Sequence, residues 1–310
     1  MGAHTAAAFT LDDLAVFDAI HLRQVIGCVS GAVSPALAGR AFAEGQRPEP
    51  PALAALAQRI ERALAPADAA AFALARWQPV TDEERAAAGR AALDQLFWEL
   101  TYWKTPDEYE RLTAGEQVHL GALAVARVDG AVVLDAGAGA GRLTLPLARR
   151  ARCVYAMDPA PPLLRLLARK LADAGLANVE PLRGAFQCVP LPDDSVDAVV
   201  ACSAFGPHEA RGGERGLAEL RRVTRPGGRI VILWPEDPAW FVRQGFHYAI
   251  LPGRLTNTFA SLDDAWAVTT RFYGADAWRY LDATGCPELP FDTLGVKPPS
   301  DICWLTVRKS

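Results

Sequence analysis

Residues 132–145 read Val-Val-Leu-Asp-Ala-Gly-Ala-Gly-Ala-Gly-Arg-Leu-Thr-Leu, an apolar run followed by a glycine-rich turn and a helical pattern. Gly137, Gly139 and Gly141 carry no side chains, so a ligand can approach the backbone closely and φ can be positive. The helix that follows directs its free N–H groups and its positive dipole end towards the same turn. Asp135, two residues before the first glycine, adds a carboxylate. The segment therefore favours a ligand with a cationic amine and a nucleoside over one with a pyrophosphate.

The spacing of the glycines separates two kinds of nucleotide site. The dinucleotide fingerprint is G-x-G-x-x-G, but here its sixth place holds Arg142 and the third glycine, Gly141, comes one residue early. Asp158 closes the next apolar run, 23 residues after Asp135, where a carboxylate can accept hydrogen bonds from both ribose hydroxyls. Because Pro159 and a helical pattern follow, a helix N-cap is the alternative role for Asp158.

Composition indicates an ordinary soluble protein. Of 310 residues, 51% are hydrophobic and 22% charged, with no apolar run of about 18 residues and no signal-like start. The net charge of −4 argues against a nucleic-acid partner, and no membrane partner is expected. The six cysteines are scattered without a C-x-x-C pair. This pattern predicts reduced thiols, a cytoplasmic location and no metal site.

The first part of the chain, residues 1–125, is rich in alanine and shows helical periodicity. Capping-box patterns begin at Thr10, Thr81 and Thr105, the last with Pro106 at the first helical position. We expect a helical N-terminal domain that serves as a lid, a substrate wall or the interface of a homodimer.

Residues 126–310 alternate short apolar runs with helical patterns. Predicted strands cover 131–135, 152–158, 178–184, 196–203 and 229–235, and predicted helices cover 142–150, 162–174 and 214–223. This order indicates an α/β fold, a doubly wound, Rossmann-like, mostly parallel seven-stranded sheet. Residues 236–300 form a predicted substrate-binding insertion, with helices at 239–250 and after Ser261, and a last strand is expected at 302–307.

Four motifs in order resemble the class I S-adenosylmethionine-dependent methyltransferases of the small-molecule type. They are Leu-Asp-Ala-Gly-Ala-Gly-Ala-Gly-Arg (134–142), Tyr-Ala-Met-Asp-Pro (155–159), Val-Pro-Leu-Pro-Asp-Asp-Ser-Val-Asp-Ala-Val-Val (189–200) and Leu-Ala-Glu-Leu-Arg-Arg-Val-Thr-Arg-Pro-Gly-Gly-Arg (217–229). The resemblance implies S-adenosylmethionine as methyl donor and S-adenosylhomocysteine as product. The implied cofactor-binding residues are Asp135, Gly137, Gly139, Gly141, Asp158, Pro159, Ala185, Phe186, Gln187 and Ser203.

Within this resemblance, the glycine loop and Asp135 hold the methionine part of the cofactor, and Asp158 takes the ribose. The stretch after the third strand cradles adenine. Family members often carry Gly-Asp-Ala there, whereas this chain has Gly184-Ala-Phe-Gln187. Without that carboxylate, adenine recognition is expected from backbone groups, the Phe186 ring or the Gln187 amide.

Methyl transfer from a sulfonium is an in-line displacement that mainly requires positioning and desolvation, with a base only if the acceptor must lose a proton. His208 follows the fourth strand, so it is the candidate base or orienting donor, with a loop or capping role as the alternative. Aromatic segments before and after the sheet predict the acceptor site, although core packing uses the same residue types. The predicted acceptor residues are Tyr102, Trp103, Tyr109, His119, Phe241 and Tyr248.

Two other functions stay open at this point. A nicotinamide-dependent oxidoreductase uses a related fold but is disfavoured by Asp135 and by the glycine spacing. A regulatory protein that binds the cofactor without catalysis gains some weight from Ala185. His21 lies in an apolar stripe and is expected to be a core residue.

Overall fold

The computed structural model describes residues 9–10, 13, 16–18, 21 and 96–309. One compact unit ends at Thr105, and another includes the chain from Pro106 onwards. Most of the predicted helical domain of residues 1–125 lies outside the described residues, so its extent and its role stay predictions. In the first unit, helix α1 (Phe97–Lys104) carries Tyr102 and Trp103.

An aromatic cluster forms the described interior of that first unit. The Trp103 ring lies 5.8 Å from that of Phe17 and 4.7 Å from that of His21, centroid to centroid. His21 is 4% exposed, which agrees with its expected place in the core. Tyr102 stacks on Trp98 with 6.1 Å between the ring centroids.

A seven-stranded sheet organises the unit that begins at Pro106, with the strands in the order β3-β2-β1-β4-β5-β9-β6. Their bounds are β1 Val132–Ala136, β2 Cys153–Asp158, β3 Val179–Arg183, β4 Val196–Cys202, β5 Thr224–Leu233, β6 His247–Ile250 and β9 Asp301–Thr306. The first five strands pair in parallel, and β9 is antiparallel to both β5 and β6. The predicted mostly parallel, doubly wound sheet is therefore confirmed.

Helices cover both faces of this sheet. They are α2 Pro106–Thr113, α3 Gly121–Ala126, α4 Thr144–Ala148, α5 Pro161–Asp173, α6 Gly213–Val223 and α7 Pro238–Arg243. Leu134 of β1 belongs to one apolar core with Phe205, whereas its neighbour Val133 belongs to a second core with Leu147. Because successive side chains of a strand point to opposite faces, this division means that β1 is buried on both sides.

The segment between β6 and β9 contains a small hairpin and two helices: β7 Thr256–Thr258, α8 Leu262–Phe272, α9 Ala275–Thr284 and β8 Glu288–Pro290. Ser261 caps α8 as predicted, because its Oγ accepts a hydrogen bond of 3.1 Å from the Asp264 N–H. The predicted helix at 239–250 is wrong beyond Arg243. Gly245 turns the chain at φ +88°, and β6 then takes its hydrogen bonds from β9. None of the described helices is long and apolar enough to cross a membrane.

Gly141 and Gly175 provide a matched pair for testing the glycine turn. Both have positive φ, +94° and +63°, so alanine at either position should cost about 1 kcal/mol of unfolding free energy. A Cβ at Gly141 would lie 2.5 Å from Leu167 Cδ1, whereas one at Gly175 would meet nothing within 4 Å. Gly141→Ala should therefore cost about 1–3 kcal/mol more than Gly175→Ala in urea unfolding. Equal losses would contradict the packing of the turn against α5.

Candidate active site

The glycine turn after β1 folds back over the end of β2. Gly137, Gly139 and Gly141 have φ of +80°, +55° and +94°, values that side chains rarely tolerate. The N–H groups of Gly137 and Ala138 both donate to the Met157 carbonyl oxygen, at 2.8 and 2.9 Å. These two bonds fix the glycine loop at the carboxyl edge of the sheet.

Close packing around the loop explains why its positions need glycine. A Cβ at Gly137 would lie 2.5 Å from Ala204 Cβ, and one at Gly139 would lie 3.3 Å from the Tyr109 ring and hydroxyl. Ala204 and Tyr109 thus pack directly against the glycine backbone, and Gly137 stays half-buried at this edge of the sheet.

Asp158, at the end of β2, joins this loop directly. Its Oδ2 accepts a hydrogen bond of 2.9 Å from Gly139 N–H, and its Oδ1 accepts one of 2.9 Å from Ala160 N–H at the start of α5. The N-cap residue of α5 is Ala160, without a side-chain cap bond, so the alternative role of Asp158 as helix N-cap is wrong. Each carboxylate oxygen has a second lone pair, so these two bonds and a ribose contact are compatible. Burial raises the pKa of Asp158 to about 6, although both backbone bonds oppose the shift. Pro159 is half-buried in the turn between them.

Asp135 is buried one strand away. Its Oδ2 accepts a hydrogen bond of 2.5 Å from Thr144 Oγ1, at the start of α4. Desolvation raises the pKa of Asp135 to about 7; the bond from Thr144 lowers it, and the charge of Asp158 raises it further. A cationic ligand group beside Asp135 would favour its ionised form. In the described part of the chain, no group of three or more His, Cys, Asp or Glu residues is arranged to hold a metal ion.

The stretch after β3 reaches the same loop. A turn is closed by the hydrogen bond from Cys188 N–H to the Ala185 carbonyl oxygen, at 3.0 Å. The Phe186 ring packs edge-on against Phe205 at 5.1 Å between centroids, and its Cζ lies 3.3 Å from the Cβ position of Gly137. Ala185, Phe186 and Gln187 are all half-buried. The Phe186 ring thus offers an apolar surface beside the glycine loop, which suits contact with a flat base.

The loop after β4 carries Ser203 and His208. Ser203 is exposed, has φ +54°, and donates its N–H to the Leu233 carbonyl oxygen at 3.0 Å. The His208 side chain is exposed, and its carbonyl oxygen accepts a hydrogen bond from Arg211 N–H at 2.8 Å. Backbone in a sparsely populated conformation at the end of a strand is typical of binding sites.

The predicted acceptor residues are dispersed. Tyr109 packs on the glycine loop, whereas Phe241 is fully buried in the core beside Phe205. His119 has both ring nitrogens engaged: Nδ1 accepts from Gly121 N–H, so Nε2–H donates to the Pro252 carbonyl oxygen.

Tyr248 lies on the outermost strand, β6, where its hydroxyl donates to Asp301 Oδ2 at 3.3 Å. Tyr102 and Trp103 belong to the first unit, where they pack on other aromatic rings. Among the predicted acceptor residues of the sheet-containing unit, Tyr109 thus lies at the glycine loop. His119, Phe241 and Tyr248 make their described contacts elsewhere.

Arg142, which directly follows the glycine loop, is a site residue that sequence reasoning missed. It forms an ion pair with Glu116, donates to Cys202 Sγ at 3.4 Å, and places its guanidinium carbon 5.9 Å from the centre of the Trp234 ring. The sequence does indicate Trp234 as a candidate site residue, because it follows β5 and ligands bind where parallel strands end. No pattern in the sequence indicates that Trp234 packs against Arg142.

Comparisons with known proteins find methyltransferases. Residues 133–228 match a family described as a methyltransferase domain. An uncharacterized methyltransferase from Mycobacterium tuberculosis is 40% identical over 102 residues, which cover 33% of this chain and 39% of that protein. A demethylmenaquinone methyltransferase from Thermus thermophilus is 40% identical over 109 residues, which cover 34% of this chain and 48% of that protein.

Among solved structures, a SAM-dependent methyltransferase from Aquifex aeolicus superposes with a TM-score of 0.37 at 25% identity, covering 46% of this chain and 86% of that one. The chain spans less than half the length of the two curated relatives above. The matched residues include β1, the glycine loop, β2 with Asp158, and β4. Residues 133–228 of this chain are thus similar to a methyltransferase domain.

Proposed function

We propose that the protein transfers a methyl group from S-adenosylmethionine to a small-molecule acceptor by in-line displacement and releases S-adenosylhomocysteine. The observation that carries this proposal is the hydrogen bond from Gly139 N–H to Asp158 Oδ2, at 2.9 Å. It joins the loop expected to hold the methionine part to the carboxylate expected to hold the ribose. The net charge of −4 supports a small-molecule partner rather than a nucleic acid.

The residues present fit this cofactor. Gly137 and Gly139 turn the backbone without side chains, Asp158 provides acceptors for the ribose hydroxyls, and Phe186 provides an apolar face for adenine. Asp135, whose pKa burial raises to about 7, contributes a carboxyl group that the cationic part would stabilise in its ionised form. The bound cofactor supplies an electrophilic methyl group, and this chain's task is to orient the acceptor and keep water away.

Helix α2 supports that task because it holds Tyr109 over the glycine loop. Lys170 of α5 forms a 2.6 Å ion pair with Glu110 of α2 and donates a 2.8 Å hydrogen bond to the Ala140 carbonyl oxygen. Arg111 Nε of α2 donates a 2.6 Å hydrogen bond to Asp264 Oδ1 of α8. Helix α2 is thereby tied to the cofactor loop on one side and to the β6–β9 segment on the other.

His208 remains the proposed base or orienting donor for an acceptor that must lose a proton. Its position after β4 places it at the carboxyl edge of the sheet, where the methyl group would be transferred. We place the reaction in the cytoplasm, a proposal supported by the free thiol form of Cys153, Cys188, Cys202, Cys286 and Cys303.

Asp158→Ala should weaken binding of both S-adenosylmethionine and S-adenosylhomocysteine by about 1–3 kcal/mol, because the ribose hydroxyls lose a charged acceptor. Isothermal titration measures the loss. Asp129→Ala is the matched control, because it removes an exposed carboxylate that pairs with Arg150 before β1, and its affinity should equal that of the wild type.

Absence of binding of either compound to the wild-type protein at about millimolar concentration would contradict the proposal. A fluorescence change with NADH in place of that binding would favour the oxidoreductase alternative. Tight cofactor binding without turnover over a broad acceptor panel would favour the regulatory alternative.

The raised pKa values of Asp135 (about 7) and Asp158 (about 6) predict two opposite pH trends. The unliganded folded protein holds more protons than the unfolded chain between about pH 4 and 7, so its unfolding free energy should fall as pH rises through that window. Cofactor affinity should rise over the same window, because the ionised carboxylates bind the cation and the ribose.

Titration calorimetry and urea unfolding from about pH 5 to about pH 8 measure these two trends. In Asp135→Asn, the unfolding free energy and the cofactor affinity should no longer change with pH near pH 7. Both should still change near pH 6, because Asp158 is unaltered. Cofactor affinity that does not change with pH in the wild type would contradict the assignment of both carboxylates.

A further inference from the structure

A cluster of side chains beyond the ends of β1, β4 and β5 is not used by the proposed cofactor contacts. Its centre is Arg142, whose side chain is 14% exposed and whose ion-pair partner Glu116 is 5% exposed. Arg142 also donates to Cys202 at the end of β4 and lies over the ring of Trp234 just after β5. The ends of β1, β4 and β5 therefore lie close to the guanidinium group of Arg142.

The charges of this cluster compensate each other. Arg142 and Glu116 are direct partners within a poorly solvated region, and neither charge can be removed without leaving the other uncompensated. A ligand that carried a net charge would compete with one partner and repel the other. A ligand without net charge leaves the pair intact, so the pair selects for neutral ligands.

Two half-buried aromatic rings, Trp234 and Tyr109, lie on either side of the glycine loop that precedes Arg142. Trp234 has φ +53°, is held by its N–H bond of 2.9 Å to the Asp301 carbonyl oxygen, and packs edge-on against Phe291 at 5.6 Å between centroids. Tyr109 lies against Gly139 on the other side of the loop. These rings keep part of their surface accessible, which suits contact with a flat apolar ligand.

The Tyr109 hydroxyl of the cluster is neutral. Desolvation raises the pKa of Tyr109 to about 12, and the charge of Arg142 opposes this shift. The hydroxyl therefore remains a hydrogen-bond donor at neutral pH.

The location agrees with an acceptor site. Ligands of open α/β sheets bind beyond the carboxyl ends of the strands, and Arg142 follows the last glycine of the loop. We propose that Arg142, Glu116, Trp234 and Tyr109 form the acceptor-binding surface, and that it selects an uncharged, planar small molecule. This inference rests on the proposed methyltransferase function.

A series of naphthalenes of matched shape tests this selection: 2-naphthol, 2-naphthoate and 2-naphthylmethylammonium at neutral pH. Each is titrated into the full chain that has first been saturated with S-adenosylhomocysteine. We expect 2-naphthol to bind at least about tenfold more tightly than either ion. An ion that binds as tightly as 2-naphthol, or no binding of 2-naphthol at about millimolar concentration, would overturn the inference.

Two reciprocal variants identify the residues responsible. Glu116→Gln leaves the Arg142 charge uncompensated, so the affinity for 2-naphthoate should rise by about tenfold relative to 2-naphthol. Arg142→Gln should raise the relative affinity for 2-naphthylmethylammonium by a similar factor. Asp129→Asn, which breaks the exposed pair with Arg150, is the control and should change neither ratio.

Unchanged ratios in both site variants would contradict the role of the ion pair. Binding of S-adenosylhomocysteine is measured first for every protein. If S-adenosylhomocysteine binds but 2-naphthol does not bind more tightly than the two ions, this inference alone fails. If the wild type does not bind it, the proposed function fails, and the inference fails with it.

Discussion

The hydrogen bond between Gly139 N–H and Asp158 is the interaction on which the site depends. It requires φ +55° at Gly139 and a carboxylate at the end of β2. It also requires β1 and β2 to be parallel neighbours in a register that pairs Asp135 with Ala156. Changing any of these conditions removes this bond and weakens the proposed cofactor site, although the bonds from Gly137 and Ala138 to the Met157 carbonyl oxygen still hold the loop.

The sheet supplies the rest of the geometry because its parallel strands end at a common edge. Loops after β1, β2, β3 and β4 contribute the glycine turn, Asp158, Phe186 and Ser203 in that order. The antiparallel strands β9 and β6 complete the sheet, and the segment between them carries the β7–β8 hairpin with α8 and α9. Helix α2 is tied to α8 and to the glycine loop, so the proposed donor and acceptor sites share one covering element.

Local pattern was sufficient to predict the fold, and the family resemblance of the same motifs implied the proposed cofactor residues. The glycine loop, its preceding Asp135 and the strand that ends at Asp158 lie within a short stretch of sequence, where backbone requirements are visible in the residue types. The predicted helix at 239–250 failed in its second half because long-range pairing with β9 overrode the local pattern. Ser203 and Trp234 take their unusual backbone angles from the ends of two paired strands, a tertiary effect.

The acceptor side was much harder to predict. Aromatic residues fill cores and line pockets alike, so Phe241, which is fully buried, could not be distinguished in the sequence from Tyr109, which lies at the loop. Arg142 first drew attention because it broke a dinucleotide pattern. Its ion pair with Glu116, 26 residues earlier in the chain, arises only when the folded chain brings the two side chains together.

A crystal structure of the protein with S-adenosylhomocysteine tests the central claim most directly. The account predicts that both ribose hydroxyls lie at about 2.6–3.2 Å from the carboxylate oxygens of Asp158. It also predicts adenine beside Phe186 and the sulfur atom facing Arg142 and Trp234. A nucleoside bound away from Asp158, or a sulfur atom that faces away from the Arg142 cluster, would contradict it.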